Sequence, residues 1–487
     1  MHPLICNFIA GQWQKPATGK TQPNINPASG QSLGDVVVSS AKEAEVAIAA
    51  AKAALPAWRG MPAPKRGDIL ARAALKMAER KEELSRAMTL EEGKTLSESR
   101  GEVQKAINTL EFQAGEGRRL NGETVPSELP STFCWTQREP LGVVALITPW
   151  NFPVAIPVWK LAPALVCGNT VVLKPASNTP WTAKIITEIL HDAGLPKGVL
   201  NVVFGPGSQV GQTLATHPDI KAVSFTGSNE VGAKLYVDAA QSLKKVQCEM
   251  GGKNPLIVLE DADLDLAATA TVQGAFGSTG QRCTATSRAV VVKSIAAEFT
   301  RLVVEKARLL KVGDGTEPGI DVGPCVDEAQ FKTVMSYLEI GKREAKLALG
   351  GERASEKGFF VQPTIFTGVR SEMRLAQEEI FGPVLSIIEV SDFDEAMKVA
   401  NNVKYGLSSS LFTHDVGRVF QYLAHIETGI THVNSPTVGG EAQLPFGGMK
   451  ATGVGAREMG KTAIEFYSEW KTVYIDYTGA KRTTNVY

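Results

Sequence analysis

The chain has 487 residues, 43% of them hydrophobic and 21% charged, which is too long for one simple core and ordinary for a globular protein. Lysine plus arginine equals aspartate plus glutamate at 51 each, so no overall field favours nucleic acid or an anionic membrane, and neither is an expected partner. The six cysteines (Cys6, Cys134, Cys167, Cys248, Cys283, Cys325) show no CxxC or Cys/His ligand spacing, which argues against a metal site and against a disulfide framework.

The first residues, Met1 to Asn7, lack a basic start followed by a long apolar run, so a secretory leader is not expected and a reducing cytoplasm is. From about Ala41 to Leu120 the chain is rich in Ala, Glu, Lys and Leu at helical spacing. An example is Arg66 to Arg86, where Ile69, Leu70, Ala73 and Leu75 begin an apolar face. The most apolar zone, Leu141 to Leu173, is broken by Pro149, Pro153, Pro157, Pro163 and Gly168, and reads as buried strands and loops and not as a membrane span.

Beyond Gly142, short β-rich runs alternate with amphipathic segments. The runs are Val143–Ile147, Thr170–Leu173, Val199–Phe204, Ala222–Phe225 and Val246–Glu249. Helical patterns between them cover Trp181–Ala193, Gln209–Thr216 and Glu230–Gln241. Strand alternating with helix implies a parallel, doubly wound α/β sheet. A second such series starts at Pro255–Leu259 and runs past Phe412, with a boundary expected near Gly251-Gly252. Glu123–Glu139 and Tyr467–Tyr477 are outlying and strand-like. They either pair together or extend a sheet in a neighbouring subunit.

Two glycine-bearing turns, Phe204 to Gly211 (with Gly207) and Phe225-Thr226-Gly227-Ser228 to Gly232, each follow a strand and open a helix. Glycine there lets backbone N–H groups approach a pyrophosphate at a helix N-terminus, although neither is the usual GxGxxG with an acidic residue about 20 positions on. Lys174 stands at a strand's carboxyl edge, where its ammonium suits ribose hydroxyls or phosphate, or solvent. In the loop Thr148-Pro149-Trp150-Asn151-Phe152-Pro153, Asn151 is either a turn residue or a donor to a developing oxyanion. Cys283, in Gly280-Gln281-Arg282-Cys283-Thr284, is a candidate thiol nucleophile, and Glu249, in Glu249-Met250-Gly251-Gly252, a candidate base to release a thioester. Glu378 to Pro383 and Pro445 to Lys450 are further tight, glycine-bearing turns.

These blocks, in this order and over about 300 residues, resemble the aldehyde dehydrogenase superfamily. The resemblance implies a Rossmann-like cofactor domain (1–122 and 140–251), an α/β catalytic domain carrying the thiol (252–450) and a small β oligomerisation element (123–139 and 467–487). It implies that Cys283 attacks an aldehyde, that Asn151 and the Cys283 N–H hold the oxyanion, and that Glu249 activates the hydrolytic water. NAD or NADP would lie on Thr148, Pro149, Trp150, Lys174, Ser177, Gly207, Gly211, Phe225, Thr226, Gly227, Ser228, Gly251, Glu379 and Phe381. Glu458 matches a position tied to proton release. Ile156, Trp159, Arg282, Thr284 and Phe446 correspond to the substrate tunnel.

Many NAD-preferring members carry glutamate where this chain has Ser177. Serine removes the charge that repels a 2′-phosphate, so NADP is expected to be accepted. The stretches Pro149–Lys160 and Gly280–Arg288 look like bacterial 2,5-dioxopentanoate (α-ketoglutarate semialdehyde) dehydrogenases, with succinate-semialdehyde or broad-specificity enzymes as the alternative. Arg282 either pairs with a substrate carboxylate or makes a structural salt bridge or a cofactor contact. A coenzyme A-acylating relative is disfavoured by Glu249, and a non-catalytic descendant by the presence of both Cys283 and Glu249. A homodimer or homotetramer is expected.

Overall fold

The computed structural model describes residues 2–479. The expected strand alternation is present as two separate sheets. The first contains β1 (Val143–Ile147), β2 (Thr170–Lys174), β3 (Leu200–Val202), β4 (Ile220–Thr226) and β5 (Lys245–Glu249), all parallel. Its order runs β3-β2-β1-β4-β5, so the chain leaves β1 to one side, then returns to the other. That reversal makes a crevice at the carboxyl ends of β1 and β4, the place where open α/β sheets bind ligands. Every residue of β1 and β2 is buried, as expected for strands covered on both faces. Two short N-terminal strands, Asn7–Ile9 and Gln12–Gln14, add antiparallel to the β3 edge.

The second sheet holds β6 (Asn254–Val258), β7 (Thr286–Val292), β8 (Thr364–Thr367), β9 (Val384–Val390), β10 (Ser408–Phe412) and β11 (Ile430–Val433) in the order β8-β9-β7-β6-β10-β11. Strand Lys346–Leu349 pairs antiparallel beyond β8. A later strand, β12 (Gly453–Val454), returns to the first sheet and pairs antiparallel with β5, setting Gly453 opposite Glu249. Finally β13 (Ser468–Asp476) pairs with Thr132–Pro140 over nine residues, from Ser468 opposite Pro140 to Asp476 opposite Thr132. The two outlying segments therefore pair with each other. The part of the expected 467–487 element beyond residue 479 lies outside the described residues.

Several local expectations change. The Arg66–Arg86 pattern is two helices, Ala63–Glu79 and Lys81–Glu92, broken at Arg80. Leu75 is 65% exposed, and Ala74 and Met77 continue the buried face in its place. Gln209–Thr216 is a wider five-residue turn, Gly207–Gly211, followed by a short helix, Gln212–Thr216, because two glycines and the preceding Pro206 loosen the first turn. Only Leu200–Val202 of the Val199–Phe204 run is strand.

Within the apolar zone, Ala155–Val166 is a fully buried helix, α2, despite Pro157 and Pro163. Pro157 sits in its first turn, where no N–H is needed. Among the described residues no helix is long and apolar enough to cross a membrane. Helix α1 (Leu96–Glu116) starts with a capping box in which Thr95 Oγ1 accepts from Glu98 N and the Glu98 carboxylate accepts from Thr95 N.

Candidate active site

Cys283 lies in the loop before β7, and the backbone that delivers it is unusual. Ser278, Thr279 and Gly280 are three successive residues with left-handed φ (49°, 59° and 67°). Two non-glycine residues there cost on the order of 1–3 kcal/mol each, so the surroundings must hold them. Those surroundings are visible. Gln281 Oε1 accepts from Val326 N, and Thr279 Oγ1 donates to Gly323 O. Asn254 Nδ2 donates to Cys283 O at 2.7 Å and to Ala285 O at 2.9 Å. Asn151 Nδ2 donates to Gln281 O at 3.1 Å, which draws the Trp150-Asn151 loop onto the cysteine loop.

The half-buried Cys283 lines two cavities. One, of about 290 Å3, opens toward the first sheet and is lined by Trp150, Asn151, Thr226, Gly227, Glu379 and Phe381 among others. Pro149, Ser228 and Gly251 also border it, as do Gln330 and Thr333, which no sequence motif marked. Thr148 Oγ1 and Thr226 Oγ1, just past β1 and at the end of β4, are buried without a hydrogen-bond partner, as polar groups awaiting a ligand would be. Phe381 has left-handed φ (58°) and meets Trp150 edge to face at 5.4 Å. The Glu379 carboxylate accepts from Gly252 N at 2.9 Å, and burial pushes its carboxyl up to about 7.

The other expected nucleotide contacts form a second group outside this cavity. Lys174 is buried, donates only to the neighbouring Pro175 O, and is lowered to about 8 by burial. A β-carbon on Gly211 would lie 3.8 Å from the Lys174 side chain, and Ser177 Oγ donates to Gly205 O at 3.5 Å. Gly207 starts the turn between them and Phe225 is buried in β4.

The second cavity, of about 270 Å3, is lined by Ile156, Trp159, Arg282, Thr284 and Phe446, so all the expected tunnel residues converge there with the thiol. Arg282 is engaged, with Nε and Nη2 on Ser278 Oγ and Nη2 3.4 Å from Glu98. Sequence reasoning missed Glu98, Glu102 and Lys105, which reach this cavity from α1. Their spacing of four and three residues puts them on one helix face, the only local signal, and in an Ala/Glu/Lys-rich helix it reads as a solvated face.

Glu249 ends β5 and is 2% exposed. Glycine at 447 and 453 leaves room for its carboxylate, since β-carbons there would lie 2.9 and 3.4 Å from Oε2, while Oε1 has no partner. Burial, then the Glu458 charge, raises the Glu249 carboxyl well above the usual range, with Arg457 pulling the other way. Burial raises the Cys283 thiol as well, reinforced by Glu249 and Glu379 and opposed by Lys105. The pair is coupled, and a protonated Glu249 no longer repels a thiolate. Below Glu249, Glu458 is buried in an ion pair with Lys160 of α2, whose ammonium also donates to Ser224 Oγ.

The model of the aldehyde dehydrogenase family matches residues 13–473. An alpha-ketoglutaric semialdehyde dehydrogenase of Bacillus subtilis is 46% identical over 475 residues, 96% of this chain and 97% of that protein. A 2,5-dioxopentanoate dehydrogenase of Saccharolobus solfataricus is 47% identical over 471 residues, 96% of this chain and 98% of that protein. Among solved structures, an NADP-dependent enzyme of E. coli matches with a TM-score of 0.94 at 37% identity, covering 97% of this chain and 98% of its own. A betaine aldehyde dehydrogenase of Staphylococcus aureus in complex with NAD+ matches with a TM-score of 0.95 at 34% identity, covering 98% and 96%. With a thiol set between two cavities and a family match over nearly its whole length, the chain belongs to the aldehyde dehydrogenase family.

Proposed function

We propose that this enzyme oxidises 2,5-dioxopentanoate to 2-oxoglutarate with NADP or NAD, through a thioester on Cys283. One observation carries the reading: Cys283 is shared by the two cavities, so a carbonyl attacked from the tunnel side becomes a tetrahedral carbon facing the nucleotide side. The substrate is the one named for relatives 46% and 47% identical to this chain.

In this reading Cys283 adds to the aldehyde carbon as thiolate. The oxyanion is held by Asn151 Nδ2, whose second N–H is not engaged by Gln281, and by the Cys283 N–H. Bound nicotinamide nucleotide supplies the acceptor for the hydride that leaves this carbon. Glu249 then takes a proton from water as the water's oxygen attacks the thioester carbon. The C–S bond breaks, the thiolate is restored and the carboxylic acid leaves. Trp150, Thr226, Gly227, Ser228, Glu379 and Phe381 hold the nicotinamide and pyrophosphate end. Lys174 and Ser177, beside the Gly207–Gly211 turn, hold the adenosine end. The Thr148 and Thr226 hydroxyls, unpartnered among the described residues, and the buried Lys174 ammonium, which donates to Pro175 O, support this assignment.

The division at Gly251-Gly252 into cofactor and thiol domains fits the two sheets. The ribbon of β13 with Thr132–Pro140, which exposes Phe133, Trp470 and Tyr474, supports assembly as a homodimer or homotetramer.

Absorbance at the reduced-nicotinamide band over a panel of aldehydes, with each cofactor, tests the reading. The highest kcat/KM is expected for 2,5-dioxopentanoate, with succinate semialdehyde below it, free acid as product and no turnover by Cys283→Ala. Better turnover of uncharged aldehydes would overturn the substrate assignment.

A further inference from the structure

We propose that Lys105 on helix α1 binds the substrate carboxylate, so that the far end of the semialdehyde is selected by this helix and not by Arg282 beside the nucleophile. The inference rests on the reading above that the substrate carries a carboxylate.

Three charged side chains besides Lys105 face the tunnel cavity, and each is already engaged. Glu98 accepts from Thr95 N and Thr95 Oγ1 on one oxygen, and from Ser278 N and Arg282 on the other. Glu102 accepts from Val154 N and Ala155 N on one oxygen and from the Lys94 ammonium on the other. Arg282 is held by Ser278 Oγ and Glu98, so moving it to a substrate would cost Glu98 its arginine partner and Ser278 Oγ both of its hydrogen bonds from that guanidinium.

Lys105 differs from all three. Among the described residues its ammonium has no carboxylate within ion-pair distance and no hydrogen-bond acceptor. It lies over the faces of Trp159 at 4.9 Å and Phe446 at 5.6 Å. Two aromatic faces compensate only part of the hydration an ammonium loses on burial, so an incoming anion has a large gain available there. Burial lowers the Lys105 ammonium from its ordinary value, against the pull of Cys283 and Glu102, and a bound carboxylate would oppose that lowering.

Cys283 and Lys105 border the same cavity, whose lining also includes the apolar side chains of Phe152, Ile156 and Phe446. A short chain with an aldehyde at one end and a carboxylate at the other matches that set of surfaces. Thiol meets carbonyl, apolar side chains meet methylene groups, and the ammonium meets the carboxylate.

The test compares kcat/KM for 2,5-dioxopentanoate with that for pentanal, a five-carbon aldehyde without a carboxylate, in wild type, Lys105→Met, Lys105→Arg and Arg282→Met. Removing one partner of a buried charge pair costs about 2 kcal/mol or more, and each 1.4 kcal/mol is tenfold. Lys105→Met should therefore lower the dioxopentanoate-to-pentanal ratio by about 30-fold or more, chiefly through KM. Lys105→Arg should keep most of the ratio, and Arg282→Met should change the ratio less than Lys105→Met does. An equal loss for both aldehydes in Lys105→Met, or a ratio that collapses only in Arg282→Met, overturns the inference. Should Lys105→Met fail to fold, Lys105→Gln is read the same way. A wild type that prefers pentanal would sink the proposed function instead. Lys105 is then judged by calorimetric titration with 2-oxoglutarate, where affinity at least tenfold weaker in the variant supports it and equal affinity overturns it.

Discussion

Gly280 packs against the backbone carbonyl of Gly382 so closely that a β-carbon at 280 would stand well inside contact distance of that oxygen. The loop carrying the thiol and the turn carrying Phe381 are thereby fixed to each other through backbone alone, with no side chain between them.

Gly280→Ala is expected to damage both. The residue has φ of 67°, which costs an alanine about 1 kcal/mol or more before the collision is counted. A melting temperature lowered by several degrees, with loss of turnover at temperatures where the variant is still folded, is the expected result. Wild-type melting and turnover together would show that the contact has slack.

Glu249 is held protonated well above the usual carboxylate range, first by burial and then by Glu458. A protonated carboxyl cannot take a proton from water. Thioester hydrolysis, followed as single-turnover deacylation, should therefore be slow at low pH and rise as pH passes through the elevated value. Glu249→Gln should remove that dependence and slow the step by about 100-fold or more while leaving an initial burst of reduced nucleotide. A variant without a burst, or one that keeps the pH dependence, would assign the base elsewhere.

Ser177 stands beside the buried Lys174, with no carboxylate at its own position. Ser177→Glu should lower kcat/KM for NADP relative to NAD by about tenfold or more, because a negative charge there opposes a 2′-phosphate. Wild-type use of NADP at least 100-fold worse than NAD would defeat the premise.

The buried Lys160–Glu458 pair makes a different prediction, about stability. Glu458→Ala leaves an ammonium uncompensated beneath the site and should cost about 3–5 kcal/mol, read by denaturant unfolding. Lys160→Met/Glu458→Gln should recover much of that loss, since both charges are gone. A double variant as unstable as the single one would mean that packing, and not charge, dominates.

The strand alternation and the two sheets were legible because they rest on local features, whereas the tunnel residues came from the family resemblance. The short β-branched run Val143–Ile147 is a buried strand as its composition indicates, and glycines at 227 and 280 mark turns on their own. Lys105 was not legible, because its meaning depends on Trp159 and Phe446, which come from distant segments. Arg282 stood as a substrate contact, a salt bridge or a cofactor contact. Its partners Ser278 and Glu98 favour the second, and only three-dimensional neighbours could decide it. The break at Arg80 and the widened turn at Gly207 escaped for a related reason. Helical periodicity continues across both, so apolar spacing alone does not mark the interruption.

The pairing of β12 with β5 has a consequence for biosynthesis. The open side of the strand that presents Glu249 is closed only when Gly453–Val454 arrives, after both sheets have been translated. Contacts so far apart in sequence form late, since loop closure must precede them. A nascent chain therefore holds its thiol without a finished hydrolytic partner. With Glu249 as the proposed base, the means to release an acyl group is completed only once Gly453–Val454 has been made and has paired.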